Sequence, residues 1–139
     1  MIKAGSEDAR FDTDRVIAYW MTESADDLRV ADHLVEKGDY SYALFFGHLA
    51  TEKLLKAVFT RKLAAHAPPV HNLVRLARLA HLELSPEREE ALMVITAFNL
   101  EARYPDMQRS FRRQCTPEFT IAQMSVIKEL VVWLQSQLA

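Results

Sequence analysis

Ala50-Thr51-Glu52-Lys53-Leu54-Leu55-Lys56-Ala57 is the stretch on which the reading of this chain turns. Its apolar residues recur at steps of three and four, the spacing that gathers side chains on one face of an α-helix. The same rhythm extends in both directions. Ala43, Phe46, Ala50, Leu54, Ala57 and Val58 make a stripe from Tyr40 to about Ala65, and Leu44, Phe45, Leu49 and Leu55 widen it. A helix so broadly apolar must be central in its fold or form an interface. Its polar residues are ordered as well: His48, Glu52 and Lys56 follow at four-residue spacing and line one face, with Glu52 preceding Lys56 in the helix-supporting orientation. Lys53 lies about 100° round the helix from Glu52, toward Leu49 and Ala57, where its stem can run past apolar neighbours. As structure, this quartet is an ion-paired helix face; as function, Lys53 or Lys56 contacts a phosphate and Glu52 orients it.

The flanking segments carry the helical period too. Ile17, Trp20, Ser24, Leu28, Ala31 and Val35 predict a helix from Asp14 to Lys37, stopped by Gly38, with Asp39 as the next N-cap. Pro68-Pro69 ends the second helix region, and a short helix from about His71 to His81 follows, burying Leu73, Leu76, Ala77 and Ala80. Ser85-Pro86-Glu87 combines a capping hydroxyl, a proline whose missing N–H costs nothing at that position, and an acid favoured by the helix dipole. It starts a fourth helix that should end near Ala102. Thr116-Pro117-Glu118 repeats this grammar and starts a last helix with Ile121, Met124, Lys128, Val131, Leu134 and Leu138 on its stripe, Ile127 and Trp133 alongside. The expected fold is therefore all-α, an up-and-down helical bundle of about five helices, over residues 13–139, preceded by a flexible arm at 1–12.

Composition narrows the function. The chain has 139 residues, half of them hydrophobic, enough for one core without metal or disulfide staples. Its single cysteine, Cys115, excludes an intramolecular disulfide and suits a reducing cytoplasm. A net charge of -2 disfavours wrapping of long duplex DNA, so local patches must carry any anion binding. No secretory signal opens the chain and no run approaches the ~20 apolar residues of a membrane span, so a soluble protein is expected. The five histidines lie on separate segments without metal-ligand spacing, and neither a phosphate-cradling glycine loop nor a nucleophile elbow is present. No cofactor or metal is expected.

Between the fourth and fifth helices, Arg103-Tyr104-Pro105-Asp106-Met107-Gln108-Arg109-Ser110-Phe111-Arg112-Arg113-Gln114-Cys115 reads as a connection far longer than the roughly 2–8 residues usual in bundles. Four arginines against one aspartate give it a local charge of +3. The planar fork of arginine suits phosphate oxygens, and Tyr104 and Phe111 offer flat faces for a base or for the core. Arg103, at a helix end, is also placed to bridge Glu101 or the last helix carbonyls.

Three pieces in this order, Ala50 to Ala57, His71-Asn72-Leu73 and Ala102-Arg103-Tyr104-Pro105-Asp106, inside an all-helical chain, resemble a HEPN domain over roughly Val16 to Leu138. The resemblance is closest to small stand-alone prokaryotic members with an Ala-Arg-Tyr-Pro-Asp-like segment. It implies a nucleotide-binding module acting beside a separately encoded nucleotidyltransferase. On that resemblance Lys53, Lys56, Arg103 and Arg109 are assigned phosphate contact and Tyr104 base or ribose contact. A homodimer is expected, because Tyr42, Phe45, Leu49 and Leu55 extend the apolar surface of the second helix.

The family also implies an alternative, a metal-independent RNA endonuclease of toxin type, whose motif is an arginine followed four to six residues later by histidine. Arg61 to His66 and Arg75 to His81 fit that spacing, but with eleven arginines and five histidines about one match arises by chance. The nuclease motif belongs toward the later helices, and no histidine follows Arg103. A non-catalytic dimeric interaction module is the third reading. No catalytic residue is assigned.

Overall fold

The computed structural model describes residues 11–139. Of the expected N-terminal arm, residues 1–10 lie outside the described residues. Asp12 is already engaged: its side chain accepts from Arg15 N–H and caps α1 (Thr13–Glu36). Gly38, at φ +79°, takes the left-handed conformation that lets the chain reverse, and α2 (Tyr40–Leu63) returns along α1. Asp39 occupies the N-cap position of α2, though its side chain makes no capping bond.

The next two helices are short: α3 (Leu73–Leu79), whose cap Asn72 accepts from Arg75 N–H at 3.0 Å, and α4 (Pro86–Thr96), capped by Ser85. A 3₁₀ turn (Leu100–Ala102) leads to α5 (Pro105–Gln114), and α6 (Pro117–Ser136), capped by Thr116, closes the fold. Both Ser/Thr-Pro-Glu starts thus act as the sequence predicts. The described residues are helical with no strand.

α2 is the central helix. It lies against α1 along most of its length, against α6 on another side, and against α3, α4 and α5 at intervals. This explains its wide apolar surface: Ala43, Leu44, Ala50, Leu54, Leu55, Ala57 and Val58 are all buried within the one chain. Leu55 faces the chain's own core and so gives no support to an interface. At Gly47 the approach of α6 is close enough that a Cβ would sit 2.6 Å from Ile127 Cδ1. Polar groups in the α1–α2 seam are satisfied locally, Ser24 Oγ donating to Ala50 O at 2.8 Å and Thr51 Oγ to Gly47 O at 2.9 Å.

The main departure from the sequence reading is at Arg103–Cys115, which is largely a helix rather than a loop. Tyr104-Pro105-Asp106 has the same order as the other starts, with proline at the first turn and an acid near the dipole's positive end. Only Phe111 of this helix is buried, its ring 5.5 Å from that of Phe98. Tyr104, Met107, Phe111 and Cys115 do recur at steps of three and four, but so thin a stripe set among four arginines reads as a polar connection. The preceding helix also ends at Thr96, short of Ala102, and the chain bends before the 3₁₀ turn. In α6, Ile121 is exposed and Lys128 reaches outward to Asp32 at 2.8 Å, so neither belongs to the buried stripe.

Candidate functional site

The widely spaced sequence pieces meet at Glu52. This carboxylate is almost wholly buried, 5% exposed, on the face of α2 that meets the chain entering α3. Its Oε1 accepts from His71 Nδ1 at 3.0 Å, and its Oε2 pairs with Lys56 Nζ at 3.2 Å. A buried carboxylate needs such partners, because loss of hydration costs far more than it would at the surface. The Lys56 ammonium also sits 4.9 Å above the ring of Trp20, which fixes it between α1 and α2.

His48, one turn earlier on α2, is fully buried beneath this pair. Its Nε2 is 3.9 Å from Glu52 Oε1 and faces the carbonyl of His71 at 3.4 Å. Its Nδ1 has no hydrogen-bond partner among the described residues, and the ring of Phe45 lies parallel to it. Burial lowers the His48 pKa below its usual 6.5, although the nearby Glu52 charge pulls the other way.

Beside these residues is a cavity of about 350 Å³ lined by His48, Leu49, His71, Asn99, Glu101 and Ala102. Two of the three motif pieces line it, His71 at the wall and Ala102 at the edge just before Arg103-Tyr104-Pro105-Asp106, and Glu52 of the first piece holds His71 in place from behind the lining. Larger grooves occur elsewhere, between α4 and α6 and between α3 and α4, but neither carries this buried polar network.

The five residues assigned from sequence fall into two groups. Lys53 and Lys56 are tied to carboxylates inside the bundle. Lys53 Nζ is 2.7 Å from Asp27 and 3.5 Å from Glu23, both on α1; despite opposing burial, these acids raise its pKa. Arg103, Tyr104 and Arg109 lie at the start of α5 and on it. Arg103 folds back, its Nε donating to Ala97 O at 2.9 Å and its guanidinium lying 4.8 Å from the Phe111 ring centre. It thus closes the open end of α4 from beyond the 3₁₀ turn, not from a helix end at Ala102 as expected and without bridging Glu101, and has a structural role in addition to its charge. Tyr104 is 77% exposed and Arg109 is exposed. Arg112 donates to the Tyr42 hydroxyl at 3.2 Å. Among the described residues, none of Arg103, Arg109, Arg112 and Arg113 is in a salt bridge.

The polar core around His48, Glu52 and His71 is the part that sequence reasoning undervalued. The four-residue spacing on α2 placed His48, Glu52 and Lys56 together, but it could not show that His71 closes on them. Cys115, by contrast, is buried with its thiol pKa pushed up to about 11 by loss of hydration, despite the charge of Arg103, which excludes a reactive thiolate near neutral pH. The two Arg-to-His spacings lie apart from the cavity. Arg61 pairs with Asp14, His66 packs on Phe11, Arg75 is in the first turn of α3 and His81 lies just beyond its end. No metal-ligand cluster occurs among the described residues, and no described helix is long and apolar enough to cross a membrane.

A bundle built on one long hairpin, with a polar core at its centre and an arginine-bearing helix at its edge, places the chain in the class of small all-helical domains. The family model for the HEPN domain matches residues 17–136, and the chain is a member of that family. The crystal structure of TT1696 from Thermus thermophilus is similar in fold, with a TM-score of 0.71 at 22% sequence identity, covering 87% of this chain and 97% of that one. No curated protein matches.

Proposed function

We propose that this chain is a nucleotide-binding HEPN module, that it works as a homodimer, and that it is the accessory partner of a separately encoded nucleotidyltransferase. The observation that carries the reading is the position of the Glu52–His71 cavity. It opens beside Ala102, where the chain enters a helix whose four nearby arginines have no carboxylate partners among the described residues and whose first exposed residue, Tyr104, offers a stacking face. Arginine forks bind phosphate oxygens bidentately, and an exposed ring supports a base or ribose. Arg109 and Tyr104 are therefore the leading contacts, with Arg103 contributing charge from its anchored position. Lys53 and Lys56 join a phosphate site only by exchanging Asp27 and Glu52 for it, so they are secondary contacts here. In the homodimer, Phe45 and Leu49, each only half-buried, and the exposed Tyr42 supply the uncovered apolar surface of α2.

Titration calorimetry with ATP and GTP tests this reading, comparing the parent with Arg109→Glu/Arg112→Glu. The double variant should lose ~1–2 kcal/mol of binding free energy, an effect that shrinks as salt rises, while its melting temperature barely changes. Equal affinity in the two proteins removes α5 from the site.

A further inference from the structure

The polar groups of the Glu52–His71 cavity have a chemical bias that the nucleotide reading alone does not use. His71 Nδ1 lies 3.0 Å from Glu52 Oε1, and a carboxylate paired with Lys56 only accepts; the Nδ1 atom therefore carries the proton. In the neutral ring, the other nitrogen of His71 is then an acceptor. The same logic applies to His48. Its Nε2 faces a backbone carbonyl, so the proton is there and the partnerless Nδ1 is the acceptor, but this fully buried ring lies behind the wall and leaves His71 and Glu101 as the acceptors a ligand reaches. Glu101 adds a carboxylate to the lining, and Asn99 adds an amide that can turn either way. Among the described residues, neither lysine nor arginine lines this cavity.

An acceptor-rich cavity favours a ligand edge made of donors. Among nucleobases, guanine presents two adjacent donors, N1–H and the 2-amino group, in the spacing that a carboxylate accepts with both oxygens. Adenine instead presents one amino group beside an acceptor nitrogen, which would face the Glu101 charge. The volume, about 350 Å³, is near the lower limit for small-ligand sites and suits a base with its sugar.

We infer that this cavity is a guanine-base subsite, with the Glu101 carboxylate reading the N1–H and 2-amino edge. The base lies against His71, and the sugar-phosphate leaves past Ala102 toward α5. The inference rests on the nucleotide-binding reading and specifies its base. Glu101 is exposed at the rim and has no ion-pair or hydrogen-bond partner among the described residues, so replacing it leaves the fold intact.

Calorimetric titration of the full chain with GMP, IMP and AMP tests the assignment, alongside thermal melts of each protein. GMP should bind at least about tenfold more tightly than AMP. IMP, which keeps N1–H but lacks the 2-amino group, should fall between them. Glu101→Gln should remove most of the GMP advantage and change AMP affinity far less, at an unchanged melting temperature. Binding of AMP as tight as that of GMP, or a GMP preference that survives Glu101→Gln, overturns the guanine assignment and leaves nucleotide binding standing. Absence of binding by all three nucleotides overturns both.

Discussion

Replacing Glu52 with alanine is the perturbation with the most sharply defined consequence. The carboxylate is 5% exposed and links Lys56 on its own helix to His71 on the chain entering α3. Without it the Lys56 ammonium, 14% exposed over Trp20, remains buried with no counter-charge, and His71 loses the acceptor that fixes its ring. Removing one partner of a buried pair costs about 3–5 kcal/mol. The lower end, ~3 kcal/mol, applies here because Lys56 retains some access to water. With an unfolding entropy of about 2.1 cal/mol/K per residue, a chain of this length should lose roughly 10 °C of melting temperature. Glu52→Gln keeps the shape and one acceptor for either His71 or Lys56, so its loss should be clearly smaller. Thermal and urea unfolding at pH 7 give both values. A Glu52→Ala variant within about 1 kcal/mol of the parent, or a Gln variant as damaged as the Ala variant, would refute the role assigned to this buried charge.

Two further outcomes follow from neighbouring features. Because burial depresses the His48 pKa, the folded protein resists the proton that the unfolded chain accepts; this contribution is complete above about pH 6.5 and declines as pH falls toward the folded-state pKa. Melting temperature should therefore drop between about pH 6.5 and 5, and His48→Gln should flatten that slope; an unchanged slope would refute His48 as its source. For the proposed homodimer, light scattering at micromolar concentration should report about twice the chain mass of 15.9 kDa, and Phe45→Glu/Leu49→Glu should return the monomer. A parent protein of 15.9 kDa in that measurement refutes the dimer.

What the sequence determined by itself was carried by local rules. The helical period of α2, the stripe on α1, and the proline-acid starts of α4 and α6 depend on residues a few positions apart, and each emerged where expected. The Glu52–Lys56 pair was local in the same sense. The tertiary structure decided the rest. A wide apolar surface on α2 fits a central helix or an interface equally well, and only the packing of the other helices around α2 showed that Leu55 is internal. α5 has local signals of its own, a proline-acid start and Tyr104, Met107, Phe111 and Cys115 at helical spacing, but the four nearby arginines and its thin apolar face read as a connection until its packing on Phe98 is seen. The meeting of His71 and Ala102 at one cavity, with Glu52 holding His71 there, depends on loops that bring residues 19 and more positions apart into contact. Such proximity follows from the whole chain's packing, because the free energy that holds Glu52 out of water comes from groups on segments that no local pattern connects.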